Sequence, residues 1–244
     1  MNTSEAKTLG NRLFSLVNQG QIAQAQAILD PVLRSRTRFA LLDIIGGAIG
    51  TGSRPKVDAF LESVASDKTE GGWVVIASAL KQQYLLSPND TFTRCCEYAI
   101  AANVWYATDI LGERVPGPAL VTDFDQAIAL LDPWRSDPSP WLRRMVGVAV
   151  HFWAKRNRGS IQSLPDAEQL FGFLEPMFIE RQVDALKGVG WGFKTLGRYY
   201  PDLAEHWLTR LVIQNRSHYR ALMLRKALTY LPFENKMRII GVLT

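Results

Sequence analysis

Apolar residues recur every three or four positions through almost the whole chain, and no stretch alternates as a paired strand would. That pattern restricts the chain to helices that bury one stripe each. Leu9, Leu13, Phe14, Leu16 and Val17 define an opening helix, and Ile22, Ala25, Ile28, Leu29 and Leu33 define a second that ends near Arg36. A third runs from Thr37 to Gly46-Gly47, a fourth from Ser53 with Pro55 in its first turn to Ser66, and a fifth from Trp73 to Leu86 behind Gly71-Gly72. Ser87-Pro88-Asn89-Asp90 is turn chemistry, followed by a helix over Thr91–Ala102 and the Trp105 helix. Gly112 and Pro116-Gly117-Pro118 form the clearest expected loop. Later helices are expected near 122–132, 139–157, 166–174, 180–199, 201–215, 217–230 and 233–242.

Short connectors between helices make antiparallel neighbours. Trp141–Val146, Ala185–Trp191 and Arg220–Lys226 are weakly self-similar, each placing basic residues among small and apolar ones after a turn. Helix pairs of about 40 residues that stack on one another build a solenoid. The expectation is therefore an all-α, HEAT/ARM-like helical repeat solenoid with a concave, partly basic face, residues 1–244 forming a single α-helical repeat domain. No apolar run approaches the roughly 18 residues of a membrane span, and Met1–Lys7 lacks the pattern of a signal peptide.

Two helices carry a tryptophan on the side away from the core stripe, and a third carries a stripe of cations there. In Arg181–Tyr200 a 100° step puts Leu186, Val189, Phe193, Leu196 and Tyr200 on one stripe, and Asp184, Lys187, Trp191, Lys194 and Arg198 opposite. Gly188, Gly190 and Gly192 flank Trp191, and the reading is that they clear space for another molecule to approach. The plainer alternative packs Trp191 under the next helix and leaves the lysines solvated. In Asn103–Leu111, Val104, Ala107 and Leu111 share a face while Trp105 and Asp109, four apart, share the other. An indole beside a carboxylate is unusual unless the carboxylate is used; otherwise Trp105 covers a helix seam and Asp109 caps a neighbouring helix. In the helix opened by Ser139-Pro140, Arg144, Gly147, His151, Lys155 and Arg158 run opposite a broad apolar arc, as a cationic or merely solvated stripe.

Charge distribution sharpens this. The net charge is +5; residues 1–122 balance 11 Lys and Arg with 11 Asp and Glu, whereas residues 123–244 hold 17 against 12. A one-sided basic excess fits a polyanionic partner. Adjacent Cys95 and Cys96 argue against a framework disulfide and for a reducing, cytoplasmic setting, nucleoid-associated if bacterial. His151, His206 and His218 show no metal-ligand spacing. There is no phosphate loop, nucleophile elbow or Cys-x-x-Cys, so no metal and no cofactor are expected.

Trp105-x-x-x-Asp109, then Trp141-Leu142-Arg143-Arg144, then Gly188-Val189-Gly190-Trp191-Gly192-Phe193 ending in Tyr199-Tyr200-Pro201 resembles the AlkD-like DNA alkylation repair family. Those are HEAT-repeat DNA glycosylases that remove N3- and N7-alkylated purines. The resemblance covers about residues 98–215 and is weak over the first 100, where Gly71–Ile76 is unlike the family. Val104 and Tyr106 also depart from it, and Asn157–Asp166 reads as a longer loop. The resemblance implies that Trp105 and Trp191 cradle the sugar-phosphate of the damaged nucleotide. It also implies that Asp109 is the catalytic carboxylate and that Arg144, rather than Arg143, contacts phosphate. Arg143, Lys155, Arg158, Lys187, Lys194 and Arg198 complete the candidate DNA-binding set, with double-stranded, preferentially alkylated DNA as partner.

The chemistry is self-consistent. An N3- or N7-alkylated purine is already cationic and departs as a neutral base without a general acid. The barrier lies in the oxocarbenium-like charge on the deoxyribose, which a nearby carboxylate stabilises. Indole faces add cation–π attraction of roughly 0.5–2 kcal/mol each. Members of this family are known for leaving the lesion stacked, unlike base-flipping glycosylases. Three functions stay open at this point: a glycosylase for alkylated purines, a DNA-binding relative without excision, and a HEAT-type scaffold in which the tryptophans anchor a protein partner.

Overall fold

In the computed structural model, which describes residues 1–216 and 218–243, helices follow one another and no strand occurs among the described residues. The first half comprises α1 (Thr3–Asn18), α2 (Ile22–Arg34), α3 (Phe39–Gly50), α4 (Arg54–Ser66), α5 (Glu70–Gln83), α6 (Pro88–Ala102) and α7 (Trp105–Arg114). The second comprises α8 (Pro116–Thr122), α9 (Phe124–Leu131), α10 (Pro140–Asn157), α11 (Leu164–Leu174), α12 (Val183–Tyr199), α13 (Pro201–Gln214), α14 (Ala221–Ala227) and α15 (Phe233–Gly241). Short 3₁₀ turns lie at Asp132–Ser136, Ile161–Ser163 and Glu175–Ile179. Contacts group the chain into two compact units, Met1–Val115 and the residues from Pro116 onward.

Each unit has two layers. In the first, α1 packs on α3, α3 on α5 and α5 on α7, while α2, α4 and α6 cover them from the other layer. In the second, α8, α10, α12 and α14 pack in series, and α9, α11, α13 and α15 form the opposing layer. This is an all-α helical repeat fold. A helix in mid-series has neighbours on several sides, which is why Trp73–Leu80 of α5 is buried throughout.

The expected helices are present, with shifted ends. Pro116-Gly117-Pro118, read from sequence as a loop, is the first turn of α8. Proline is tolerated there because first-turn N–H groups have no partner within the helix. Gly71 and Gly72 lie inside α5, whose N-cap is Thr69, its hydroxyl accepting from the Gly72 N–H at 3.1 Å. The helix expected over 217–230 is observed only as Ala221–Ala227; its expected start, Ser217, lies outside the described residues.

Glycines set how closely neighbouring helices approach. A Cβ on Gly46 of α3 would lie 2.4 Å from the Val75 carbonyl of α5, and one on Gly50 would lie 2.3 Å from that of Ala79. Gly47, the next residue, would meet only the Gln82 side chain at 3.6 Å. Gly46→Ala should therefore destabilise the protein by about 1–3 kcal/mol through overpacking against backbone. Gly47→Ala should stabilise it by roughly 0.5–1 kcal/mol through helix propensity alone. Urea denaturation of both variants tests this; equal effects would contradict the seam.

Candidate functional site

Helix α7 begins where α6 ends in a left-handed Asn103 (φ 50°) and an extended Val104. Ala107, Thr108, Ile110 and Leu111 are buried, and Trp105 is 55% exposed, edge-on to Tyr106 with ring centroids 5.8 Å apart. Asp109, one turn on and partly buried, shares the Trp105 face, as the spacing requires. The far end of α7 is tied down. Arg114 donates from Nε to Asp43 Oδ1 at 2.7 Å and from Nη2 to Oδ2 at 3.3 Å, while Ser78 Oγ donates to Oδ1 at 2.6 Å. One carboxylate on α3 thus joins α5 and α7, and the azimuth of α7 fixes which residues it displays.

Trp105 and Asp109 belong to the first unit; Arg143, Arg144, Trp191 and the candidate lysines belong to the second. Helix α10 starts at Ser139, whose hydroxyl accepts from the Trp141 N–H at 3.3 Å. Neither arginine that follows stands in solvent. Arg143, expected on DNA, donates from Nε to Glu180 Oε2 at 2.6 Å and from Nη1 to the carbonyls of Asp137 and Pro138. Its guanidinium holds the start of α10 to the chain before α12. Arg144, expected on a phosphate, is only 6% exposed and donates from Nη1 to the Asp184 carbonyl at 2.9 Å. It lies between helices because α12 packs over the stripe that the helical wheel assigned to water.

The glycines around Trp191 correct the sequence reading in the same way. A Cβ on Gly147 would lie 2.2 Å from the Gly188 carbonyl, and one on Gly188 would lie 2.4 Å from that of Arg144. Gly192 faces the Gly147 carbonyl and Gly190 faces the Lys226 stem. They serve packing between α10, α12 and α14, not the approach of an outside molecule.

Trp191 itself is partly buried and stacked on His151 of α10, with centroids 3.8 Å apart and planes 23° from parallel. The sequence reading placed His151 on a polar stripe and gave it no role. Thr195 Oγ1 donates its one proton to the Trp191 carbonyl at 2.9 Å, so the 2.7 Å contact between Thr195 Oγ1 and His151 Nδ1 requires Nδ1–H as donor. The imidazole is the neutral Nδ1–H tautomer. Burial, and then Lys155 and Lys194, lower its pKa from 6.5 to about 4. The spacing of His151 opposite its helix's apolar arc was visible in sequence, but its partner on α12 was not.

The cations have different fates. Lys155, Lys187 and Arg198 are exposed, as is Arg158, the left-handed C-cap of α10 at φ 49°. Lys194 places Nζ 4.1 Å from the centroid of Tyr230, and the Arg198 guanidinium carbon lies 5.1 Å from the same ring. Lys226 on α14 was missed as a site residue. Its pKa is lowered by burial first and then by Lys194, Arg144, Lys187 and Arg225. No carboxylate makes an ion pair with Lys187, Lys194, Arg198 or Lys226 among the described residues. Among the described residues no group of three or more His, Cys, Asp and Glu could hold a metal ion, and no helix is long and apolar enough to cross a membrane. Cys95 is buried and Cys96 partly buried.

His151 makes stability depend on pH. Folded His151 titrates near 4 and the unfolded ring near 6.5, so between those values only the unfolded chain takes up this proton. The contribution is complete above the unfolded value and is lost as pH falls toward 4, by at most ~3 kcal/mol. His151→Phe keeps a ring against Trp191 and should flatten this part of the profile. Urea denaturation of both proteins at neutral and mildly acidic pH measures the difference; parallel profiles would show that the imidazole is not held neutral.

A family model described as DNA alkylation repair enzyme matches residues 53–231. The match reaches well before residue 98, into the region where the motif resemblance was weak. Among solved structures, Pseudomonas fluorescens alkylpurine DNA glycosylase AlkC bound to DNA containing an abasic site analog matches with a TM-score of 0.60 and 15% identity. The alignment covers 99% of this chain and 66% of that one, a little under two thirds of its length. At that identity the likeness is one of fold. No curated protein matches the sequence significantly. With nearly three quarters of its length matched, the chain belongs to the DNA alkylation repair enzyme family.

Proposed function

We propose that this protein binds duplex DNA and hydrolyses the N-glycosidic bond of N3- and N7-alkylated purines. The observation that carries the reading is the exposed indole of Trp105 one helical turn from Asp109 on an α7 anchored through Arg114. In the reaction the C1′–N bond breaks, its electron pair leaves with the purine, and water oxygen bonds to C1′ and loses a proton to solvent. Positive charge grows on the sugar as the bond lengthens. Asp109 stabilises that charge and orients the water, an electrostatic contribution realised only in the transition state. Trp105 supplies a ring face to the nucleotide; Trp191 of the second unit, stacked on His151, is the other indole that the family resemblance implicates.

Lys155, Arg158, Lys187, Lys194 and Arg198 would grip phosphates. They support DNA binding equally well in a relative without excision; Asp109 separates the two, because a carboxylate adds nothing to phosphate binding. The abasic-site DNA bound by the AlkC structure is the kind of product that base loss leaves. Arg143 and Arg144 act in this reading through the position of α10, since their guanidinium groups are engaged with protein.

Asp109→Asn should lower release of 3- or 7-methylpurine by on the order of 10²-fold with DNA affinity unchanged or slightly higher. Trp105→Ala should weaken both. Excision at the wild-type rate by Asp109→Asn would reduce Asp109 to a structural residue, and no release by the wild type would favour the non-excising relative. With Lys155, Arg158, Lys187, Lys194 and Arg198 on phosphates, log K should fall against log salt with a slope of roughly −4 to −5. Salt-independent binding would point to a protein scaffold instead.

A further inference from the structure

Gly190 is buried midway along α12, three residues after Lys187 and four before Lys194. Those spacings put all three on one stripe. The gap left by the missing side chain is filled from α14: a Cβ on Gly190 would sit 2.9 Å from both Cβ and Cδ of Lys226. The aliphatic stem of Lys226 therefore lies across the stripe between two other lysines. Tyr230, 46% exposed, continues from α14 and carries Lys194 on its ring face, with Arg198 beside it. The charges that act most on Lys226 are Lys194 and Lys187 on α12, Arg144 on α10 and Arg225 on its own helix; the carboxylate on this stripe of α12 is Asp184, one turn before Lys187.

Lys187, Lys194 and Lys226 make no ion pair with a carboxylate among the described residues, and gathering like charges in this way is unfavourable in the isolated protein. Neutral residues at these positions would relieve the repulsion; an anion would relieve it too. We propose that Lys187, Lys194 and Lys226, gathered around Gly190 and flanked by Tyr230, form a seat for neighbouring phosphodiester groups of the DNA backbone, one to each lysine. The seat adds Lys226 and Tyr230 to the contacting residues. It rests on the DNA-binding part of the proposed function and not on excision. A phosphate seated there would restore the full charge of Lys226, whose pKa is lowered in the free protein by burial and its cationic neighbours. Binding would then take up protons in the alkaline range.

The test uses undamaged duplex DNA, so that seat and excision can fail separately. Relative to wild type, Lys226→Ala should reduce the magnitude of the log K against log salt slope by about 0.9, the share of one phosphate contact, and Lys226→Arg should retain it. Titration calorimetry about one pH unit below the ordinary lysine value, in two buffers of different ionisation enthalpy, should show proton uptake by the wild type and less by Lys226→Ala. An unchanged slope in Lys226→Ala, or no proton uptake by the wild type, would overturn the seat. Lys226-dependent capture on vesicles of anionic phospholipid with an unchanged DNA slope would overturn it in favour of a lipid headgroup. Absence of base release alongside the expected slopes would overturn excision and leave the seat standing.

Discussion

Helices α10 and α12 meet backbone to backbone. Gly147 and Gly188 each occupy a place where a single methyl group would strike the other helix's main chain, and Gly192 adds a third close point. Each glycine weakens its own helix by roughly 1 kcal/mol relative to alanine; the close approach places more of both helices in contact, as the buried run Met145–Val150 shows. The second unit's candidate chemistry follows from that approach. It brings His151 to stacking distance of Trp191, aligns Thr195 with the imidazole and covers Arg144. The third helix of the series continues the same device, with Lys226 lying in the space that Gly190 leaves.

The first unit solves the corresponding problem differently. Helices α3 and α5 also meet through glycines, but α7 is secured by a partly buried charge network centred on Asp43. A bidentate Arg–carboxylate contact is directional, so it sets the rotation of α7 as well as its position. That rotation matters because Trp105 and Asp109 would face the core if the helix turned by half a revolution. Anchoring one end by charge leaves the other free to present an aromatic ring to solvent.

Two arginines show how burial changes what a charged residue does. Arg143 and Arg144 are adjacent, and both resemble phosphate-binding residues by type and neighbourhood. Their donors are satisfied inside the protein, Arg143 by Glu180 and loop carbonyls and Arg144 by the Asp184 carbonyl. Removing the Arg143 side chain would leave Glu180 without its guanidinium partner, a cost of about 1–3 kcal/mol, and removing that of Arg144 would open a gap between α10 and α12, so loss of binding in such variants would report partly on helix position.

From sequence alone the all-helical repeat character, most helix centres and the shared face of Trp105 and Asp109 were legible, because 3.6-residue periodicity is a local property of the chain. The family that the motifs resembled is also the one whose model matches residues 53–231. What periodicity supplies is an angle around one helix; what occupies that angle depends on the neighbours. The stripe opposite the apolar face of α10 reads as solvent on a wheel, yet α12 lies there and takes in Arg144 and His151. The glycines near Trp191 read as open space because a missing side chain looks the same whether water, a ligand or another backbone fills it. The Pro116–Pro118 segment read as a loop because its prolines forbid a helix interior, and only its position as a first turn makes them acceptable. Lys226 acquired significance only when folding laid its stem across Gly190, 36 residues away in the chain, which no local spacing records.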